Sequence, residues 1–263
     1  RLDAVEWVPI LEPSQRAPEI ETGSVMTVKN PPSADVARLK SNADLVVIEF
    51  PEPANFFLLP SMKRTDLEFD KVEIRQALSG AIDREGIVAA ILNGGGEATR
   101  GPVSSAWRFY EPGVEAFNNY DPEKSAATLE AAGWVVGSSG VREKNGVKME
   151  FTAIHVAHPI EIQVMAAIAA MFQEIGVVMH VESLEIAAFR EKRPKADMFG
   201  FKWLWAVYAD IVPLFIRLFQ PNDHPDVAAI LDAFKAWENS VSDDEMRAVT
   251  SKAQLLAAEL AAT

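Results

Sequence analysis

No cysteine occurs in the 263 residues, which removes disulfides, thiol nucleophiles and thiolate metal sites but leaves the redox compartment open. Positive charge is scarce against negative. The 25 Lys and Arg face 38 Asp and Glu, for a net charge of −13 at pH 7, and such a surface repels nucleic acid and acidic membranes. Long apolar runs are missing too. The longest, around Val164 to Phe172, is broken by Gln173 and Glu174, short of the ~18–20 residues a spanning helix needs. Histidine is limited to His155, His158, His180 and His224. His155 and His158 straddle a strand end before Pro159, share no face and have no carboxylate pair beside them, so no zinc site is expected. Gly94-Gly95-Gly96 follows a helix rather than a strand and lacks the lysine and serine of a phosphate loop, so it reads as a loose helix terminus. No serine sits in a nucleophile elbow. Carboxylates are plentiful, but none is singled out as a glycosidase pair.

What is present is a run of well-punctuated elements. Ile74, Ala77, Leu78, Ala81 and Ile82 recur at helical spacing and make one apolar stripe. Asp83 then caps a second helix whose core face is Ile87, Val88, Ile91 and Leu92. Asp121 at an N-cap, Pro122 behind it and Gly133 past the end frame a third. Lys144-Asn145-Gly146-Val147 predicts a tight turn joining Val141–Glu143 to a strand over Val147–Val156. A long helix follows, with Ile160, Val164, Ala167, Ile168, Met171, Phe172 and Ile175 on one face and Gly176 as its stop. Val177–Val181 and Asp197–Trp203 read as strands, separated by a short helix from Ile186 to Arg193 that Pro194 halts. Two more helices close the chain. One starts near Pro225 with Val227, Ile230, Leu231, Phe234 and Trp237; the other has a Ser242/Glu245 capping box and the stripe Met246, Val249, Ala253, Leu256, Leu260. Earlier, Leu45–Phe50 reads as a buried strand, and Pro51, Pro53 and Pro60 argue against regular structure directly after it. Helices interleaved with strands make this an α/β fold.

Three stretches carry a family likeness. Phe69-Asp70-Lys71-Val72-Glu73-Ile74-Arg75-Gln76-Ala77-Leu78, running on to Ala81-Ile82-Asp83-Arg84-Glu85, resembles the FDDVRVRQAL…AIDRE signature of extracytoplasmic solute-binding proteins of family 5, which serve peptide and nickel ABC importers. Tyr120-Asp121-Pro122-Glu123-Lys124 leading to Ala131-Ala132-Gly133-Trp134 is similar to that family's YDPEKA…AGW. Ile175-Gly176-Val177 through Phe189 resembles its (I/L)GIxVxxxxxxWxxF segment, with Ile186 where tryptophan is common. The resemblance is legible over residues 45–260. It implies a periplasmic-binding-protein-like second lobe, a mixed sheet flanked by helices, with a remnant of the first lobe. The boundaries it implies are 1–50 for that remnant, 51–65 for the hinge or crossover, and 66–263 for the second ligand-binding lobe. The chain is expected to be the C-terminal portion of a longer protein.

The same resemblance points to ligand contacts. Asp197 and Trp203 keep the spacing of the family's FDxxxxGW strand, whose following loop lines the cleft. Trp203, Trp205, Tyr208 and Asp210 are therefore candidates, and a tryptophan at a strand end can stack on a ligand or simply fill core. Peptide-binding members carry an aspartate three residues after the tryptophan; here that position is Ala206. Either Asp210 takes the role from a longer loop, or the ligand is not a free-amine peptide. Arg193 matches a carboxylate-pairing arginine of some members, or is a solvated surface charge, and Gln163 lies near another contact position. The implied function is capture of a small solute, peptide-like or related, between two lobes in the periplasm, without catalysis or cofactor, and delivery to an ABC permease. A ligand-sensing module that signals to a partner protein is the alternative.

Overall fold

The computed structural model describes residues 3–50, 54–101, 103–204 and 242–259, with isolated positions at 225, 228, 229 and 232, and the backbone but not the side chains of Trp203 and Leu204. Its centre is a four-stranded mixed sheet in the order β1-β7-β5-β6, formed by β1 (Ala54–Pro60), β5 (Glu150–Val156), β6 (Val178–Leu184) and β7 (Met198–Leu204). β5 runs parallel to both neighbours, with Ala153 opposite Val181 and Ile154 opposite Phe199, while β1 is antiparallel to β7. A small antiparallel sheet joins β2 (Val135–Val136), β3 (Arg142–Lys144) and β4 (Val147–Lys148).

Helix α6 (Pro159–Glu174) carries the chain from β5 to β6, and α7 (Ile186–Lys192) carries it back across to β7. The two helices lie on opposite faces. A Cβ on Gly200 would stand 2.7 Å from Met165 of α6, so Met198 and Gly200 face that helix. Phe199 and Phe201 alternate to the other face, where Phe201 stacks on Phe189 of α7 at 5.3 Å. That is the arrangement right-handed crossovers produce. The mixed sheet flanked by helices is the expected α/β architecture.

The core lies between the sheet and α3 (Val72–Gly80), α4 (Arg84–Ile91), α5 (Pro122–Ala131) and α6, around Phe69, Leu129, Trp134, Phe151 and Phe172, all at 3% exposure or less. Local signals hold well here. Asp83 accepts from Gly86 N at 2.8 Å, and Asp121 from Lys124 N at 2.8 Å, each satisfying a first-turn amide of its helix. Gly133 supplies the left-handed residue after α5 at φ 92°. Asn145 and Gly146 sit at φ 53° and 81°, the two positive angles of a type I′ hairpin turn.

The remaining short helices are α1 (Arg16–Glu21) and α2 (Ser33–Ser41); α8 (Asp243–Glu259) ends the described chain. α8 is tied to the 107–118 loop by polar side chains. Gln254 donates to Phe109 O at 2.8 Å and accepts from Glu111 N at 3.0 Å, and Asn118 donates to Ala258 O at 2.8 Å.

Several expectations need correction. Leu45–Phe50 is not a strand: it pairs with no described strand, and Val46, Ile48 and Phe50 are 88, 76 and 69% exposed. Apolar sequence without a ladder partner does not make a strand. Conversely, residues 54–60, expected to be irregular, form β1, because Pro60 closes an edge strand where a proline is tolerated. The predicted Val147–Val156 strand is split at buried Met149, its first part in the small sheet and its second in the large one. In α6, Ile160 is 44% exposed whereas Glu161 and Met165 are buried. In α8 the buried face is Thr250, Ala253, Gln254, Ala257 and Ala258, so Met246, Val249 and Leu256 of the predicted stripe lie at its margin. Of the helix expected near Pro225, the described positions Pro225, Ala228, Ala229 and Asp232 are helical, while its apolar face Val227, Ile230, Leu231, Phe234 and Trp237 lies outside the described residues, as does Leu260 at the end of the last stripe.

Candidate functional site

The sheet topology locates the site before any side chain is considered. From β5 the chain crosses to β6 on one side and returns to β7 on the other, so connections diverge between β5 and β7. Ligands of open α/β sheets bind outside the carboxyl ends of strands at such a switch point. The strands separate there: β5–β7 pairing stops at His155 opposite Gly200, while β7 continues to Leu204 with β1 on its other side.

Charged and polar groups gather at this edge from three elements. His158 is the N-cap of α6, with no side-chain cap on the helix's first-turn amides. Glu161 stands in the first turn and is 8% exposed, with Oε2 lacking a hydrogen-bond partner. Lys202 comes from the part of β7 beyond its pairing with β5, where it lies opposite Phe56 of β1, and Arg16 from α1. Burial, with the positive charges of Lys202 and then Arg16, pushes the His158 imidazole below its usual pKa. Burial pushes the Glu161 carboxyl up to about 7, against the pull of Lys202. Perturbed titratable groups gathered at one edge mark a candidate functional site.

His155, one strand position in from the edge, has a different role. It is fully buried, and Val156 O can only accept, so Nδ1 donates to it at 2.7 Å and Nε2 accepts the Ser183 hydroxyl at 2.7 Å. Burial lowers its pKa, so this neutral tautomer knits β5 to β6 and serves the fold. Among the described residues no group of His, Asp and Glu could hold a metal ion, and no helix is long and apolar enough to cross a membrane.

An open depression of about 390 Å³ lies on the α7 face, with Thr152, Ile154, Glu182, Lys192, Lys195 and Asp197 among its lining residues. Its charges are largely engaged: Lys192 donates to Glu182 at 2.5 Å, and Asp197 pairs with Arg64 and accepts Thr152 N at 3.1 Å. It flanks the amino-terminal end of β7, away from the switch point.

Of the residues named from sequence, Trp203 has its backbone on β7, paired with Asn55, at the opening edge. Trp205, Tyr208 and Asp210 lie outside the described residues. Arg193 lies over the Phe199 ring at 5.7 Å, toward the amino-terminal half of β7. Gln163 is exposed on α6, two residues beyond Glu161. Sequence reasoning weighed His158 only as a metal ligand and passed over Glu161 and Lys202. The available signal was a Glu in the first turn behind His158-Pro159, but its importance depends on burial, which spacing does not show.

Comparison with known proteins bears on the family and the fold. The sequence profile of bacterial extracellular solute-binding proteins, family 5 middle region, matches residues 1–225. The match takes in the first forty-four residues, where no motif is legible. Heme-binding protein A of Haemophilus influenzae is 23% identical over 73% of this chain and 33% of its own length. Di/tripeptide-binding protein 1 of Pseudomonas aeruginosa is 33% identical over 48% of this chain and 23% of its own. Among solved structures, the oligopeptide-binding protein AppA of Bacillus subtilis with a nonapeptide superposes with a TM-score of 0.80 at 20% identity, covering 95% of this chain and 51% of that one. NikA of Brucella suis with Fe(III)-EDTA gives 0.76 at 18%, over 96% and 53%. The chain therefore spans about half of these solved proteins and a third or less of these two curated relatives.

Proposed function

The chain belongs to the bacterial extracellular solute-binding proteins of family 5, and from that membership we propose that it captures a small solute at the β5–β7 switch point as part of an ABC importer's substrate-binding component. The solute is peptide-like or related. The proteins it resembles are named for heme, di- and tripeptides, a nonapeptide and an iron chelate, a range that shares capture rather than one cargo. The observation that carries the reading is the set of His158, Glu161 and Lys202 at the separating ends of β5 and β7. The hydroxyl–imidazole pair beside it among the described residues, Ser183 with His155, has its imidazole fully buried and tied to Val156 O. A binding protein needs only groups that hold a ligand while two lobes close, with closure stabilised by the contacts the ligand makes in the closed state.

In this reading residues 66–263 are the second lobe, 1–50 a remnant of the first, and 51–65 the crossover, with β1 tying it to the second lobe's sheet. Trp203, Trp205, Tyr208 and Asp210 are the ligand contacts that the family resemblance implies, and the closed form docks from the periplasm on a membrane permease. The test is thermal denaturation of the protein encoded by the whole gene against peptides, amino-acid derivatives, sugars and nickel chelates. A ligand at 100 times its Kd stabilises by about 2.7 kcal/mol, a Tm rise of several degrees. One class giving that rise, lost in His158→Ala, supports the reading. A well-folded protein that responds to none refutes it.

A further inference from the structure

Glu161 is placed as no structural carboxylate should be. It is 8% exposed, and Oε2 has no hydrogen-bond partner among the described residues. A Glu at the third position of a helix ordinarily reaches back to the N-cap amide. Here that amide belongs to His158 and already donates to Val156 O at 2.7 Å, so the usual local partner is taken. A buried acceptor without a donor costs stability, and burial drives the carboxyl toward its neutral form, to about 7. A methionine or leucine would fill the site without that cost. The position is also the switch-point edge, where a bound molecule would lie.

We infer that Glu161 is a ligand-contacting specificity residue, and that its unpartnered oxygen is completed by a neutral hydrogen-bond donor of the captured solute, an amide N–H or a hydroxyl. The inference rests on the solute-capture reading above and names the chemistry its ligand brings to this point. The charged surroundings select the class. Lys202 on β7 acts on Glu161 directly, and Arg16 on α1 acts with Lys202 on His158. An ammonium entering here meets this positive charge, and an anion meets Oε2. A neutral donor meets neither penalty.

Two measurements on the 263-residue chain decide it. In the first, the Glu161 carboxyl carbon, labelled with ¹³C and assigned by difference from Glu161→Gln, is followed at pH 8 and constant ionic strength. Acetamide, methylammonium and acetate are titrated in turn. A saturable shift with acetamide alone is expected. Saturation by methylammonium or acetate, or by none of the three, overturns the inference. In the second, Glu161→Met should raise the Tm of the ligand-free chain by about 2 °C or more at pH 8, because the group it removes opposes folding. A lower Tm marks Glu161 as structural and also overturns it. Neither readout depends on transport. If no solute stabilises the whole-gene protein, the capture reading fails separately from the acetamide response, and a cargo found while acetamide is silent sinks only the inference about Glu161.

Discussion

Protonating Glu68 should remove a large share of this fold's stability in acid, and Glu68→Gln should remove the same share at neutral pH. Glu68 holds a left-handed backbone angle, φ 58°, just ahead of α3. Its carboxylate accepts from Lys144 Nζ at 2.8 Å, Lys71 Nζ at 2.5 Å and the Trp134 indole at 2.9 Å. Lys144 also donates to Ala132 O at 2.6 Å, so this one acid joins the start of α3, the end of α5 and the β3–β4 hairpin. Burial would raise its pKa, but the donors from Lys144, Lys71 and Trp134 outweigh it and hold the value at about 2, below the ordinary 4.5. The sign follows from linkage. The folded state binds this proton more weakly than the unfolded chain, so the contribution is complete above pH 4.5 and is lost as pH falls toward 2. The gap corresponds to roughly 3 kcal/mol, which we reduce to about 2 because Lys71 is 43% exposed and its share is screened by solvent. Urea denaturation should therefore show a midpoint about 1 M lower for Glu68→Gln at pH 6, with the difference from wild type shrinking below pH 4.5. The Trp134 indole N–H resonance should titrate near pH 2. An unchanged midpoint at pH 6, or an indole resonance that titrates at 4.5, refutes the reasoning.

Glu161 gives a limb of opposite sign. Its folded value of about 7 lies above the ordinary 4.5, so its contribution is complete below pH 4.5 and is lost as pH rises through 7, by up to about 3 kcal/mol. Glu161→Gln should flatten the fall between pH 5 and 8 in the same urea series. Gln254→Leu removes three hydrogen bonds, one of them to Thr250 O within α8, and leaves Phe109 O and Glu111 N without this partner, costing about 2–4 kcal/mol, with hydrogen exchange at Phe109–Asn118 rising as α8 loosens. Asp121→Ala removes the cap on Lys124 N and should cost about 1 kcal/mol, read as a small drop in Tm. His158→Ala should leave the Tm of the ligand-free chain within about a degree, while weakening whichever solute stabilises the whole-gene protein.

The elements with chemical punctuation were legible in the sequence because their signals are local. Asp83, Asp121-Pro122, Asn145-Gly146 and the glycines at 133 and 176 each settle a cap or turn within a few residues. The two apolar runs at 45–50 and 54–60 show where that legibility stops. Both have strand composition, and prolines surround the second, yet only the second became a strand. What separates them is whether a partner edge is present: β7 aligns Phe57 with Phe201, over a hundred residues away, and no described strand lies beside Val46 or Ile48. The candidate site divides in the same way. Trp203 is a candidate because its spacing from Asp197 repeats a family pattern. Glu161 was not visible, because a glutamate in a first helical turn is commonplace until the fold buries it and the neighbouring amide is found occupied. Lys202 became informative only once strand order showed β5 and β7 to be adjacent and diverging. A site built from separate crossovers is thus a property of topology. Its residues are found by asking where adjacent strands part, and which charged groups the fold gathers at that parting.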